Sequence, residues 1–203
     1  QYDKGYRYNI QGWVYIHIEG EPYERGYQYG YLASAEIMDM IQRWINFEYK
    51  EVKILKLFSF KSAEKLWNFF TFKAKNCYKK YVPEEYIEEL KGLTDGLKAK
   101  GVKIFNRDIE FKDILAFQFM QDIEYSSFQY PLKRFHLHPL RRLIFEIKQI
   151  LNKEIDEYPS GHCTAFIATG SSTKNGEIVV AHSTIFNAYV AERCNILLDV
   201  KPS

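Results

Sequence analysis

Cysteine is scarce in this chain. Its three residues, Cys77, Cys163 and Cys194, lie far apart and form no Cys-x-x-Cys pair. An odd count at wide spacing argues against a disulfide framework and against a zinc site. Long apolar runs are missing too: nothing approaches about 18 consecutive apolar residues, so no integral membrane segment is expected. Charge of one sign is absent, because the formal net charge is only +2. A nucleic-acid partner needs a clustered basic face, and this balance gives no case for one. There is no Asn-x-Ser/Thr acceptor, no repeat and no low-complexity segment. The missing acceptor weakens a eukaryotic secretory reading. The sequence opens on Gln1 without a methionine or a visible signal peptide. An upstream leader or other segment is therefore expected to have been removed, and the compartment stays open, export included.

What is present fits a globular protein. The 203 residues are long enough to bury a real core. Hydrophobic residues make up 46% and charged residues 27%, both ordinary values. Aromatics are abundant at 17%, with 16 Tyr and 15 Phe. Such a content builds either a bulky core or a surface that stacks apolar ligands.

The pattern changes along the chain. "GWVYIHIEG" at 12–20 alternates, with Trp13, Tyr15 and His17 on one face and Val14, Ile16 and Ile18 on the other. It reads as a strand buried on both faces and ended by Gly20 and Pro22. Ile37, Ile41 and Ile45 predict a helix over 31–50, and an aromatic-rich helical stretch follows at 61–81. Pro83 opens a third helix, with Ile87, Leu90, Leu93 and Leu97 on one face and Gly101 as its stop. Residues 111–125 and 139–155 are the fourth and fifth helix candidates. After Pro159 the character becomes β: "CTAFIATG" and "EIVVAHST" flank "SSTKNG", whose Asn175-Gly176 is a hairpin signal. "CNILLDV" at 194–200 is a third strand, with nothing after it to pair with. Such a small set of strands cannot make a two-sheet sandwich, so the chain is expected to be the front part of a larger protein. Its organisation reads as a helical segment with an N-terminal strand over 1–162, followed by the start of a strand-rich part over 163–203.

Cys163 stands at the first position of its strand, after Ser160-Gly161-His162. A solitary cysteine there can simply be a small buried hydrophobe. Its neighbours favour chemistry. Gly161 permits a tight backbone, and strain at a peptide bond is what attack by an adjacent side chain exploits. Thr164, Ala165 and Ala168 leave room beside the thiol. Cleavage of the His162–Cys163 bond would give Cys163 both a thiol and a free α-amine. With a reference pKa of ~7.7–8.0, that amine can act as general base near neutrality without a histidine. This is the arrangement of an N-terminal nucleophile.

Three blocks of sequence carry a resemblance. "GHCTAFIATGSSTKNGEIVVAHSTIFN" is similar to the start of the catalytic subunit in N-terminal-nucleophile hydrolases of the penicillin acyltransferase and phospholipase B-like group. "IEGEPYERGYQYGYLASAEIMDMI" resembles that group's Gly- and Gln-containing segment before its first long helix. "VPEEYIEELKGLTDGL" followed by "FKDILAFQFMQDI" resembles its helical middle. The blocks cover most of the chain in the family's order. The resemblance implies an α+β fold: a helical N-terminal segment leading into an αββα sandwich, of which this chain holds the first part.

It further implies that Cys163 is the nucleophile, exposed by self-cleavage between His162 and Cys163 into an α/β heterodimer. The substrate would be a small acyl-amide attacked through a thioester, with no metal or organic cofactor. Thr184 or His182 would bond substrate or orient the amine. Asn187 would replace an acidic residue of the phospholipase B-like branch, and that branch makes a lipid ester the alternative substrate. Related bile-salt hydrolases carry an arginine and, three residues on, an aspartate where this chain has His182 and Ile185. The oxyanion-hole asparagine of such enzymes is expected beyond Ser203. A reading of a different class remains, in which the chain is a non-catalytic binding protein and Cys163 is core.

The other candidates have plainer readings. His182 at a strand end can be a structural histidine. Arg25, among Glu24, Gly26, Gln28 and Gly30, is either a buried salt-bridge partner or a substrate contact, and the glycines point to close helix packing. "KRFHLHPLRR" at 133–142 reads as a solvated basic loop before a metal or membrane site. Asp122 and Cys194 read as structural, and Cys77 has nearby lysines but no catalytic partner.

Overall fold

The structure is a computed structural model that describes residues 2–55, 60–129, 163–184, 188–192 and 195–203. The helix expected at 139–155, the basic loop at 133–142, His162, Asn187 and Cys194 lie outside the described residues. The chain divides into two compact units, one of residues 1–131 with 192–203 and the other of 132–191. The architecture is mixed α and β with small sheets.

The first unit opens with strands β1 (Tyr6–Ile10) and β2 (Trp13–Gly20), joined by a tight turn in which Gln11 and Gly12 both take positive φ. The expected strand is present, but only one of its faces is deeply buried. Ile16 and Ile18 are core residues, whereas Trp13 is exposed and Tyr15 and His17 are half-buried. The reason is chemical: on that second face Tyr15 and His17 direct their polar ends to Asp199, which needs water nearby.

Pro22 does more than end the strand. It occupies the first turn of helix α1 (Pro22–Leu32), where its missing N–H costs nothing. Glu21 caps that helix, its N–H donating to Glu24 Oε2 at 3.0 Å in a reciprocal capping box. The helix expected at 31–50 is therefore preceded by another one. Helix α2 runs Ser34–Leu55 and buries Ile37, Ile41 and Ile45 as a four-residue stripe. Each such side chain contributes about 1.5–3 kcal/mol when fully removed from water.

Helix α3 (Ala63–Lys73) starts at Ser62, whose Oγ accepts the Lys65 N–H, and buries Leu66, Trp67 and Phe70. The expected continuation to 81 instead widens into a π-helical segment, Ala74–Tyr78, and tightens into a 3₁₀ turn, Lys79–Tyr81. Helix α4 (Glu84–Ala99) matches expectation, with Gly101 at φ +70° just beyond it. A two-residue ribbon, β3 (Lys103–Ile104) with β4 (Arg107–Asp108), leads to α5 (Phe111–Gln118). The helix expected over 111–125 breaks at Phe119 and resumes as α6 (Met120–Glu124), then widens at Tyr125–Gln129.

Two further strands, β5 (Cys163–Gly170) and β6 (Gly176–Thr184), form the expected antiparallel hairpin. Gly170 and Gly176 face each other at its end, both at positive φ. A single helical turn, Ala188–Ala191, follows. The last strand, β7 (Ile196–Pro202), has a partner that reading forward from it does not reveal. It pairs in parallel with β2, near the chain's start, giving the sheet order β1-β2-β7. One face of this sheet, carrying Ile16 and Ile18, packs into the core with Leu32, Ala33, Ile37 and Ile41 of the helices. Among the described residues no helix is long and apolar enough to cross a membrane.

Candidate active site at the head of the hairpin

Strand periodicity decides what stands beside the thiol. Opposite residues of an antiparallel ladder share a face, and so do residues two apart on one strand. Cys163 pairs with Thr184, and Ala165 pairs with His182. Cys163, Thr184 and His182 therefore belong to one face at the open end of the hairpin. Ala165 fills the fourth position with a methyl group, which leaves the space above the ladder to the three reactive side chains. Thr184 Oγ1 and His182 Nδ1 lie 3.3 Å apart, so the hydroxyl and the imidazole form one hydrogen-bonded pair.

Cys163 is a free thiol and is exposed, as are Thr184 and His182. Two of the expected residues thus lie on the thiol's own face, while His162 and Asn187 fall outside the described residues. Within the hairpin, apolar side chains are exposed on both faces: Ile167, Ile178 and Val180 on the face of Cys163, and Phe166 and Val179 on the other. A strand pair with that distribution is suited to having layers on both sides.

Arg25 belongs to the other unit and is bound up in its helices. At 5% exposure it donates through Nη1 to Gly20 O at 2.9 Å. Its Nη2 reaches Glu89 at 3.1 Å and Glu85 at 3.3 Å on α4. The guanidinium thus ties the strand end, α1 and α4 together. Cys77 is a free, exposed thiol on the π-helical segment. Among the described residues there is no group of His, Cys, Asp and Glu arranged to hold a metal.

Two polar clusters of the first unit are assembled from residues far apart in the sequence. Asp113, fully buried, receives both Nη1 and Nη2 of Arg107 at 2.7 Å and Nε1–H of Trp67 at 2.8 Å. The other lies on the open sheet face. Asp199 Oδ2 accepts from Tyr15 OH at 2.6 Å and from His17 Nδ1 at 2.7 Å. Hydrogen bonds from Tyr15 first, then from His17, hold the Asp199 carboxyl below its usual range. The same bond to Asp199 holds the Tyr15 phenol well above its ordinary value. Around these, Tyr6 stacks on His17 and Tyr8 on Tyr15, and Trp13, Ile10 and Leu197 extend an exposed apolar surface. The alternation of Tyr15 and His17 in β2 was a visible hint of this face. Asp199, 182 residues from His17, had no local signal.

No model of a known protein family matches the chain, and no solved structure matches it. An uncharacterized protein of Archaeoglobus fulgidus is 27% identical over 98% of this chain. The chain spans about 29% of the length of that relative.

Proposed function

We propose that the chain is part of an autoprocessing cysteine N-terminal-nucleophile amidohydrolase or acyltransferase with Cys163 as nucleophile. The observation that carries this reading is the head of the hairpin: an exposed thiol on the first ladder residue, sharing a face with the Thr184 hydroxyl and the His182 imidazole. The two sheets lend support. The β1-β2-β7 sheet has helices against one face and an open aromatic surface on the other, and the hairpin is apolar on both faces. These are the surfaces that an αββα sandwich would bury between its layers.

Activation starts from the intact chain. The Cys163 sulfur attacks the carbonyl carbon of His162, the C–N bond breaks, and the peptide nitrogen takes the thiol proton and leaves as the α-amine of Cys163. Water then hydrolyses the thioester, freeing the thiol and leaving a carboxylate on His162. In turnover the α-amine takes the thiol proton and the thiolate attacks the substrate's amide carbonyl. The amine product departs with a proton, and water or an acceptor amine resolves the acyl-thioester. Thr184, the ladder partner of Cys163 and bonded to His182, would bond the new α-amine.

Intact-mass measurement of the purified full-length protein tests the reading. The expected result is two fragments meeting between His162 and Cys163, and a single uncut chain in Cys163→Ala. An uncut wild-type chain whose Cys163 also resists iodoacetamide would overturn it. A panel of paired amide and ester substrates then tests the amide preference.

A further inference from the structure

A cavity of about 460 Å³ opens in the first unit where the irregular helix ends meet. That size matches the roughly 300–1,000 Å³ of small-molecule sites. Its wall is built by Tyr78, Tyr81, Tyr86 and Phe119, and its charged groups are Glu89 and Asp122. Among the described residues no lysine or arginine lines it. The geometry points to a binding site for an organic cation with an apolar or aromatic body, and we propose that function for it. The proposal does not depend on the chemistry of Cys163.

Three observations lead there. First, the aromatic wall is held in place. Tyr78 stacks on Phe119 with ring centroids 5.2 Å apart, and its hydroxyl lies 2.7 Å from Ser126 Oγ and 3.2 Å from the Asp122 carbonyl oxygen. These bonds join two π-helical segments, Ala74–Tyr78 and Tyr125–Gln129. Such widened turns give up regular hydrogen bonding and recur at functional sites. Second, the carboxylates outnumber the cations. Arg25 is shared between Glu89 and Glu85, and among the described residues the Asp122 carboxylate has no partner. Third, one ring of the wall already takes a cation, with Lys80 Nζ lying 4.8 Å from the Tyr81 centroid. An ammonium entering the cavity would find aromatic faces and a carboxylate together, the pairing that selects a cation over a neutral isostere. An anion would meet Glu89 and Asp122.

The test uses three probes of one shape on the full-length protein: phenethylamine as cation, 2-phenylethanol as neutral isostere and phenylacetate as anion. Calorimetry should rank them in that order, with phenethylamine tighter than the alcohol by about tenfold, the sum of one cation–π contact and one exposed ion pair. Asp122→Asn should remove about fivefold of the phenethylamine affinity and leave the alcohol unchanged, because Tyr78 bonds the backbone carbonyl of Asp122 and not its carboxylate. Lys80→Gln should strengthen phenethylamine by freeing the Tyr81 ring. Equal affinity for amine and alcohol, a preference for phenylacetate, or no binding of any probe would each overturn the proposal.

Discussion

Gly26 on α1 and Gly92 on α4 stand in a reciprocal relationship: each lacks a side chain where the other helix's backbone passes. A Cβ on Gly26 would run into the carbonyl oxygen of Glu89, and one on Gly92 into that of Tyr23. Gly30 and Gly96 repeat the arrangement one turn on, against Leu93 and Tyr27. Two Gly-x-x-x-Gly faces thus cross at backbone contact, and Arg25 closes the seam through Glu85 and Glu89.

Gly26→Ala and Gly92→Ala should therefore destabilise the protein, although alanine ordinarily gains about 1 kcal/mol over glycine inside a helix. The obstacle is main chain and cannot rotate away, so the expected loss is about 1–3 kcal/mol or more. Urea unfolding followed by circular dichroism reads it as a lower midpoint. An unchanged or raised midpoint would mean that the helices do not approach this closely.

Asp113 gives the second prediction. Its carboxylate is fully buried and serves Arg107 and Trp67 together, and through Oδ2 it also accepts the Glu110 N–H at 2.9 Å. Asp113→Ala leaves the buried Trp67 N–H without its acceptor and Arg107 with only the longer ion-pair contact to Glu110 at 3.6 Å. Breaking a buried pair costs about 3–5 kcal/mol, but Arg107 is 31% exposed and can be rehydrated. The expected loss is therefore nearer about 2–4 kcal/mol. Asp113→Asn keeps an acceptor for Trp67 and should lose less. Thermal unfolding of the two variants side by side checks the order.

Local rules made some elements legible. Helix α4 carries its start, apolar face and stop within its own residues, from Pro83 through Leu97 to Gly101. The β5–β6 hairpin and the position of Cys163 at its head were likewise readable from short-range pattern. Helix α1 was hidden because Pro22 reads as the end of strand β2, although Gly26 and Gly30 already pointed to close helix packing. In the fold Pro22 is a helix start and the two glycines are a helix-crossing face. The partner of β7 was hidden because pairing with β2 spans nearly the whole chain. The Asp199 and Asp113 clusters and the aromatic cavity share that origin, since each assembles side chains from separate elements.

Acidification should loosen the β2–β7 contact. The folded-state pKa of Asp199 is depressed, so its contribution to stability is complete above the ordinary carboxylate value of about 3.9 and is lost as pH falls through the depressed one. Glu36 acts in the same direction. Burial works against its charge, but bonds from Arg7 and from its own backbone N–H, with the Arg7 charge, hold its carboxyl low. Tyr15 has the opposite sign: its raised pKa keeps its contribution intact below the ordinary tyrosine value of about 10, with loss only as pH climbs through the folded value. Hydrogen exchange of the β7 amides against pH, in wild type and Asp199→Asn, reads the acid limb. The variant should already exchange faster near neutrality and vary less below about pH 4. Parallel curves would remove Asp199 from the linkage.

The last prediction concerns the hairpin head and rests on Cys163 acting with its own α-amine. Thr184 is the ladder partner of Cys163, and His182 Nδ1 lies 3.3 Å from the Thr184 hydroxyl. A hydroxyl fixed in that way can accept from the amine and set its lone pair toward the thiol. Thr184→Val keeps the branched shape that suits a strand and deletes only the hydroxyl. Losing one such hydrogen bond, about 1.4 kcal/mol, should slow acyl transfer about tenfold. Thr184→Ser restores the oxygen and should recover most of the rate. The bond also bears on the amine's proton affinity, so the acid limb of the pH–rate profile should move in Thr184→Val and return in Thr184→Ser. Circular dichroism and the extent of His162–Cys163 cleavage, measured on the same preparations, separate this from misfolding. A Val variant that is cut normally and turns over at the wild-type rate with an unmoved profile would leave Thr184 a strand residue only.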